Sequence, residues 1–244
     1  MILAPAELHL WVSIERAADE PALAALRPLL EPREVRQLEQ RANPELKSRY
    51  LRTRALQRSV LAAYLPGVDA GALRFVTGEE GKPALAPEFE QAGLYFNLTH
   101  TAGLVALIVS RQRDIGIDAE NLYERTTALK LARRYFTAEE ARNLEALPPD
   151  QQPTRFYALW TLKEAWMKAL GHGLSAGLDN AAFSLDSEHR VAGLSFAAYD
   201  ATDWRFWQYQ PSDEHIMAVA LRAPQLTPDA FVQTHSWNPA APPK

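Results

Sequence analysis

With 244 residues, 47% of them hydrophobic and 23% charged, the chain can bury a substantial core as one large domain or two small ones. A formal charge of −4 argues against a concentrated basic surface for nucleic acid, and zero cysteines exclude a disulfide framework and thiol chemistry. The opening MILAPAELHLWVSIE lacks a basic n-region and no uncharged apolar run nears the roughly 20 residues of a membrane span, so a soluble, cytoplasmic protein without a membrane association is expected.

In chain order, residues 8–14 read as a strand, and residues 32–65 carry helical periodicity, with Leu51, Ala55, Leu61 and Tyr64 apolar and arginines between them. Residues 73–76, 94–97 and 104–109 read as strands separated by glycine-containing turns. Helices are predicted near 126–135, 137–146 and 154–170, then strands near 182–185, 191–199, 204–210 and 215–221. The proline-rich tail, 224–244, is expected to lie over the surface or fray. Helices precede an antiparallel meander twice, which predicts an α+β pseudo-duplication of two similar lobes, each with helices packed on an antiparallel sheet. The seam is expected near residues 111–113, giving an N-terminal lobe 1–112 and a C-terminal lobe 113–244.

Two motifs carry the chemistry. In Gly116-Ile117-Asp118-Ala119-Glu120 the acids are two apart at the end of an apolar run, so on a strand both point to one face, a disposition that suits a hard divalent cation. In Trp160-Thr161-Leu162-Lys163-Glu164-Ala165-Trp166-Met167-Lys168, the residues Phe156, Leu159, Trp160, Lys163 and Met167 recur at helical spacing, while Glu164 and Lys168 lie one turn apart on a neighbouring face. Only six of the 26 basic residues are lysines, and Lys82, Lys163 and Lys168 fall in or beside such motifs, where a compact ammonium suits phosphate. Thr137-Ala138-Glu139-Glu140 forms a capping-box pattern that by itself accounts for Glu140.

These motifs, together with Gly81-Lys82-Pro83, Phe96-Asn97-Leu98-Thr99-His100 and the run from Arg134 to Glu140, resemble the long (Sfp-like) 4′-phosphopantetheinyl transferases over roughly residues 81 to 175. The resemblance implies a holo-[acyl-carrier-protein] synthase activity: transfer of the 4′-phosphopantetheine of coenzyme A to a serine of an acyl or peptidyl carrier protein, leaving adenosine 3′,5′-bisphosphate. It implies two similar lobes with coenzyme A in the cleft between them, and a monomer. Magnesium is assigned to Asp118, Glu120 and Glu164, with Glu140 near the metal. Glu164 and Lys168 are the expected catalytic base and leaving-group lysine. Coenzyme A is expected to contact Lys82 and Pro83 at its adenine end, and its phosphates Asn97, Thr99, His100, Lys163 and Lys168. Arg41 and Arg49 are named for the 3′-phosphate, where the family pattern has no unique register. The alternative is a magnesium-dependent hydrolase of a nucleotide pyrophosphate, which could use the same acids without docking a protein.

Overall fold

A computed structural model describes residues 1–78, 81–124, 127–171, 177–224 and 230–243. The first half runs β1 (Glu7–Ile14), α1 (Glu20–Ala25), α2 (Pro32–Glu39), α3 (Pro44–Ala63), β2 (Phe75–Thr77), β3 (Pro83–Leu85), β4 (Tyr95–Thr101) and β5 (Leu104–Ser110). There follow β6 (Ile115–Asn121), α4 (Ala128–Tyr135), α5 (Ala138–Glu145), α6 (Gln152–Leu170), β7 (Ala181–Leu185), β8 (Val191–Phe196), β9 (Trp204–Ser212), β10 (His215–Arg222) and β11 (Phe231–Ser236). The expected start of α4 at residue 126 lies outside the described residues.

The chain divides into two compact units, one holding β1 to β5 together with the C-terminal segment, the other holding Lys82 and the chain from Asp114 through β10. Their topologies correspond. In the first, β1 pairs antiparallel with β5, and β5 with β4; in the second, β6 pairs antiparallel with β10, and β10 with β9. Each unit places a long helix, α3 of 20 residues or α6 of 19, and then a small antiparallel hairpin before the closing pair. The pseudo-duplicated α+β plan is therefore carried by strand order, although the two halves share little sequence.

Local chemistry explains most boundaries. The helical stretch from residue 32 is not continuous, because Asn43 caps a new helix: its Oδ1 accepts from the amides of Glu45 (2.7 Å) and Leu46 (3.4 Å), and Pro44 occupies the first turn. Arginines Arg52 and Arg58 of α3 are fully buried. Arg58 pairs with Glu34 at 2.7 Å and donates to the carbonyls of Ala70 (3.2 Å) and Leu73 (2.9 Å), while Nη1 of Arg52 reaches Ser13 (3.0 Å) and Asp19 (3.2 Å).

From residue 230 to 243 the tail is built into the fold, while 225–229 and 244 lie outside the described residues. β11 pairs in parallel with β1, and Trp237 is buried in the first unit's core, its indole donating to Ser59 on α3 at 3.0 Å. Residues from β11 onward therefore belong with the first unit rather than with the expected 113–244 lobe. The first core gathers Trp11, Leu56, Leu61, Phe96 and Leu107 between the sheet and α3. The second gathers Phe156, Leu162, Trp166, Phe183 and Trp204 around α6.

Candidate active site

The second unit builds the acidic group from β6 and α6. Strand alternation puts Gly116, Asp118 and Glu120 on one face of β6, and α6 packs on that face. Gly116 makes this approach possible: a Cβ there would run into the carbonyl of Ala165 and lie 2.5 Å from the amide nitrogen of Ala169. The ammonium of Lys82 ties the same two elements, donating to the carbonyls of Ile115 (2.9 Å) and Ala169 (3.4 Å). At its end α6 stops on Gly171, whose φ of 75° lies in the left-handed region. Glu164 and Lys168 thus stand half-buried beside the β6 acids, and Lys168 Nζ lies 2.6 Å from Asp118 Oδ1.

The electrostatics of this group are strained. Burial first, and the charge of Asp118 second, push the carboxyl of Glu164 up to about 7. Glu120 is likewise raised to about 7 by burial, then by Asp118, Glu124 and Glu164, with Lys168 acting in the opposite sense. Glu124, which the motif reading passed over, therefore belongs to the field of this site. Among the described residues no three Asp, Glu or His side chains converge closely enough to hold a metal ion as they stand. The donor set nevertheless fits a hard cation: three carboxylates, oxygen ligands only, whose mutual repulsion a divalent ion would relieve.

Lys163 and Glu140 have another place. Lys163 is completely buried, its ammonium 2.8 Å from Glu140 Oε2 and donating to the carbonyls of Leu178 (2.9 Å) and Ala181. Burial pushes its pKa down, and the neighbouring Glu140 works against that shift. Glu140 Oε2 also accepts from the Thr137 amide (2.8 Å) and hydroxyl (2.9 Å), and its Oε1 accepts from the Phe183 amide at 2.9 Å. Thr137 Oγ1 accepts in turn from the Glu140 amide at 3.2 Å, completing the capping box. With its oxygens committed in this way, Glu140 has no ready position for a metal, and Lys163 no donor for a phosphate. This corrects both expectations. Lys163 carried the signal itself, since it stands on the apolar stripe of α6 with Phe156, Leu159 and Met167.

In the first unit, Asn97, Thr99 and His100 all lie within β4 rather than after it. Asn97 and Thr99 are buried, whereas His100 is exposed and, by alternation, on the opposite face. Pro83 opens β3. Arg41 stacks over the ring of Tyr50, 4.2 Å from its centroid, and Arg49 Nε donates to Glu15 at 3.1 Å.

Known proteins resemble this chain in sequence. A family model described as the 4′-phosphopantetheinyl transferase superfamily matches residues 114–220, which hold β6, α6 and their acids. The chain is 34% identical to the 4′-phosphopantetheinyl transferase HetI of Nostoc sp. over 88% of this chain and 87% of that protein. It is 31% identical to a 4′-phosphopantetheinyl transferase of Bacillus subtilis over 71% of this chain and 74% of the relative, and 35% identical to Sfp of Bacillus subtilis over 56% and 58%. A solved holo-(acyl-carrier-protein) synthase from Bacillus anthracis, in complex with coenzyme A (3′,5′-ADP), is similar over 45% of this chain and 95% of that one, with 24% identity and a TM-score of 0.36. The Nostoc relative spans both units with their matched topologies, and the chain belongs to the 4′-phosphopantetheinyl transferase superfamily.

Proposed function

We propose that this transferase works through Asp118, Glu120, Glu164 and Lys168 on a carrier-protein serine and coenzyme A. The observation that carries the reading is the packing of α6 onto Gly116, which sets a base and an ammonium from one helix beside two strand acids. Asp118, Glu120 and Glu164 would hold magnesium, which when bound supplies charge neutralisation at the pyrophosphate. Glu164, held half-buried beside the β6 acids, is placed to accept the proton of the serine hydroxyl directly or through water. The serine oxygen bonds to the β-phosphorus as the bond from that phosphorus to the bridging oxygen breaks. Adenosine 3′,5′-bisphosphate leaves, and Lys168 stabilises or protonates it.

The remaining contacts are assigned by chemistry. His100, exposed on β4, is the phosphate-binding member of its motif, with Asn97 and Thr99 shaping the strand behind it. Arg41 and Arg49 are the candidates for the 3′-phosphate, and Lys82 with Pro83 for the adenine end. The working form is a cytoplasmic monomer; among the described residues no helix is long and apolar enough to cross a membrane. The test is substitution of Asp118 by Ala with carrier modification followed by mass: loss of transfer in a variant that melts like the parent supports the site, and retained transfer removes it.

A further inference from the structure

We infer that Lys168 is an internal stand-in for the metal: in the free enzyme its ammonium neutralises Asp118, and a divalent cation entering among Asp118, Glu120 and Glu164 displaces it and so releases it toward substrate phosphate. This rests on the metal reading given above.

The partners differ in freedom. Asp118 is fixed on β6 with its side chain 8% exposed, whereas Lys168 is 30% exposed at the end of a flexible four-carbon stem in the last turn of α6. When the pair opens, the lysine is therefore the member that moves. The contrast with Lys163 sharpens this. Five positions earlier on the same helix, that ammonium is 0% exposed and bound to Glu140 and two carbonyls, so it has no room to leave. Lys168 screens more than its contact partner, since its charge also opposes the repulsion that raises Glu120 and Glu164. Two cations cannot share one carboxylate pocket without strong repulsion, so metal and ammonium compete. The consequence is order. Lys168 becomes available to the leaving group only once the metal is in place, which couples assembly of the charge screen to delivery of the catalytic lysine.

The experiment is calorimetric titration of magnesium into the full chain without coenzyme A, comparing the parent with Lys168→Met, Lys168→Arg and Asp118→Asn. Removing the competing charge should tighten magnesium binding in Lys168→Met by about tenfold, while Lys168→Arg stays within about threefold of the parent. Without magnesium, Lys168→Met should melt below the parent, and magnesium should close that gap. Asp118→Asn should bind magnesium much more weakly than the parent. If Lys168→Met binds magnesium no more tightly than the parent while Asp118→Asn loses binding, the stand-in role is overturned and the metal site survives. If neither the parent nor Lys168→Met binds magnesium, or Asp118→Asn binds it undiminished, the metal reading falls and takes this inference with it.

Discussion

Like charges gathered in one half-buried site are tolerated only when something compensates them, and here the charge of Lys168 acts on Asp118, Glu120 and Glu164. Asp118→Ala or Glu120→Ala should lower transfer by at least about 100-fold while the circular-dichroism melt stays near that of the parent. Protons compete with magnesium for the two raised carboxyls. Magnesium binding should therefore weaken as pH falls through about 7, and a titration of the enzyme on either side of that value checks it. Glu140 behaves differently. Glu140→Gln keeps much of the capping geometry but leaves the Lys163 charge buried without its partner, so the fold should lose about 3 kcal/mol in denaturant unfolding. Its magnesium titration should match the parent; a raised magnesium requirement would return Glu140 to the metal site. At this scale the sequence reveals which residue types are present, but not which atoms are already committed. The capping box at Thr137 was legible because it is local, whereas the ion pair with Lys163 joins α5 to α6 across the core.

At the scale of elements, the contact of α6 with β6 depends on the missing side chain of Gly116. Gly116→Ala should push the helix from the strand, destabilise the protein by about 2 kcal/mol, and weaken magnesium binding together with activity; a thermal melt and a metal titration measure both. The tail strand makes a second prediction. His9 Nδ1 lies 2.6 Å from the hydroxyl of Tyr64, which also accepts from the Trp11 indole at 3.1 Å, and His235 of β11 stacks on Trp11 with centroids 4.4 Å apart. Burial, above all, pushes both histidines below the ordinary 6.5; for His9 the neighbouring His235 adds to the shift and Glu7 opposes it. The unfolded chain therefore takes up protons first as pH falls through 6.5, so their contribution to stability is present above that value and lost below it. Glu120 and Glu164 act with the opposite sign, gaining protons in the fold near 7, so the histidine part is read as a difference. Lowering the pH from about 7.5 to 5.5 should shift the melting temperature less favourably in the parent than in His9→Gln, whatever the sign of the net change; an equal shift in both would contradict the assignment.

Most elements were legible in the sequence because they are periodic or carry local punctuation. The break at Asn43-Pro44 was also written there as a cap followed by proline, and helical periodicity on both sides concealed it. β11 could not be read locally: its partner β1 lies at the other end of the chain, and the prolines around it dominate the composition. Burial of Arg52 and Arg58 was hidden for a similar reason, since their partners Glu34, Asp19 and Ser13 come from other elements.

For the whole molecule, two units with corresponding strand pairings differ in what they carry: the second holds the acids and Lys168, and the first holds β4 with His100 and the arginines of α2 to α3 and their connection. Specific loss of function from the second unit, with the fold intact, is what the account expects of every change at Asp118. The most direct test incubates the protein with magnesium, coenzyme A and an apo-carrier protein and follows both the intact mass of the carrier and the nucleotide released. The account predicts that the carrier gains one phosphopantetheine on a serine, with adenosine 3′,5′-bisphosphate appearing only when carrier is present and neither product formed by Asp118→Ala. Release of the bisphosphate nucleotide without any carrier, and a carrier of unchanged mass, would contradict it and identify a hydrolase instead.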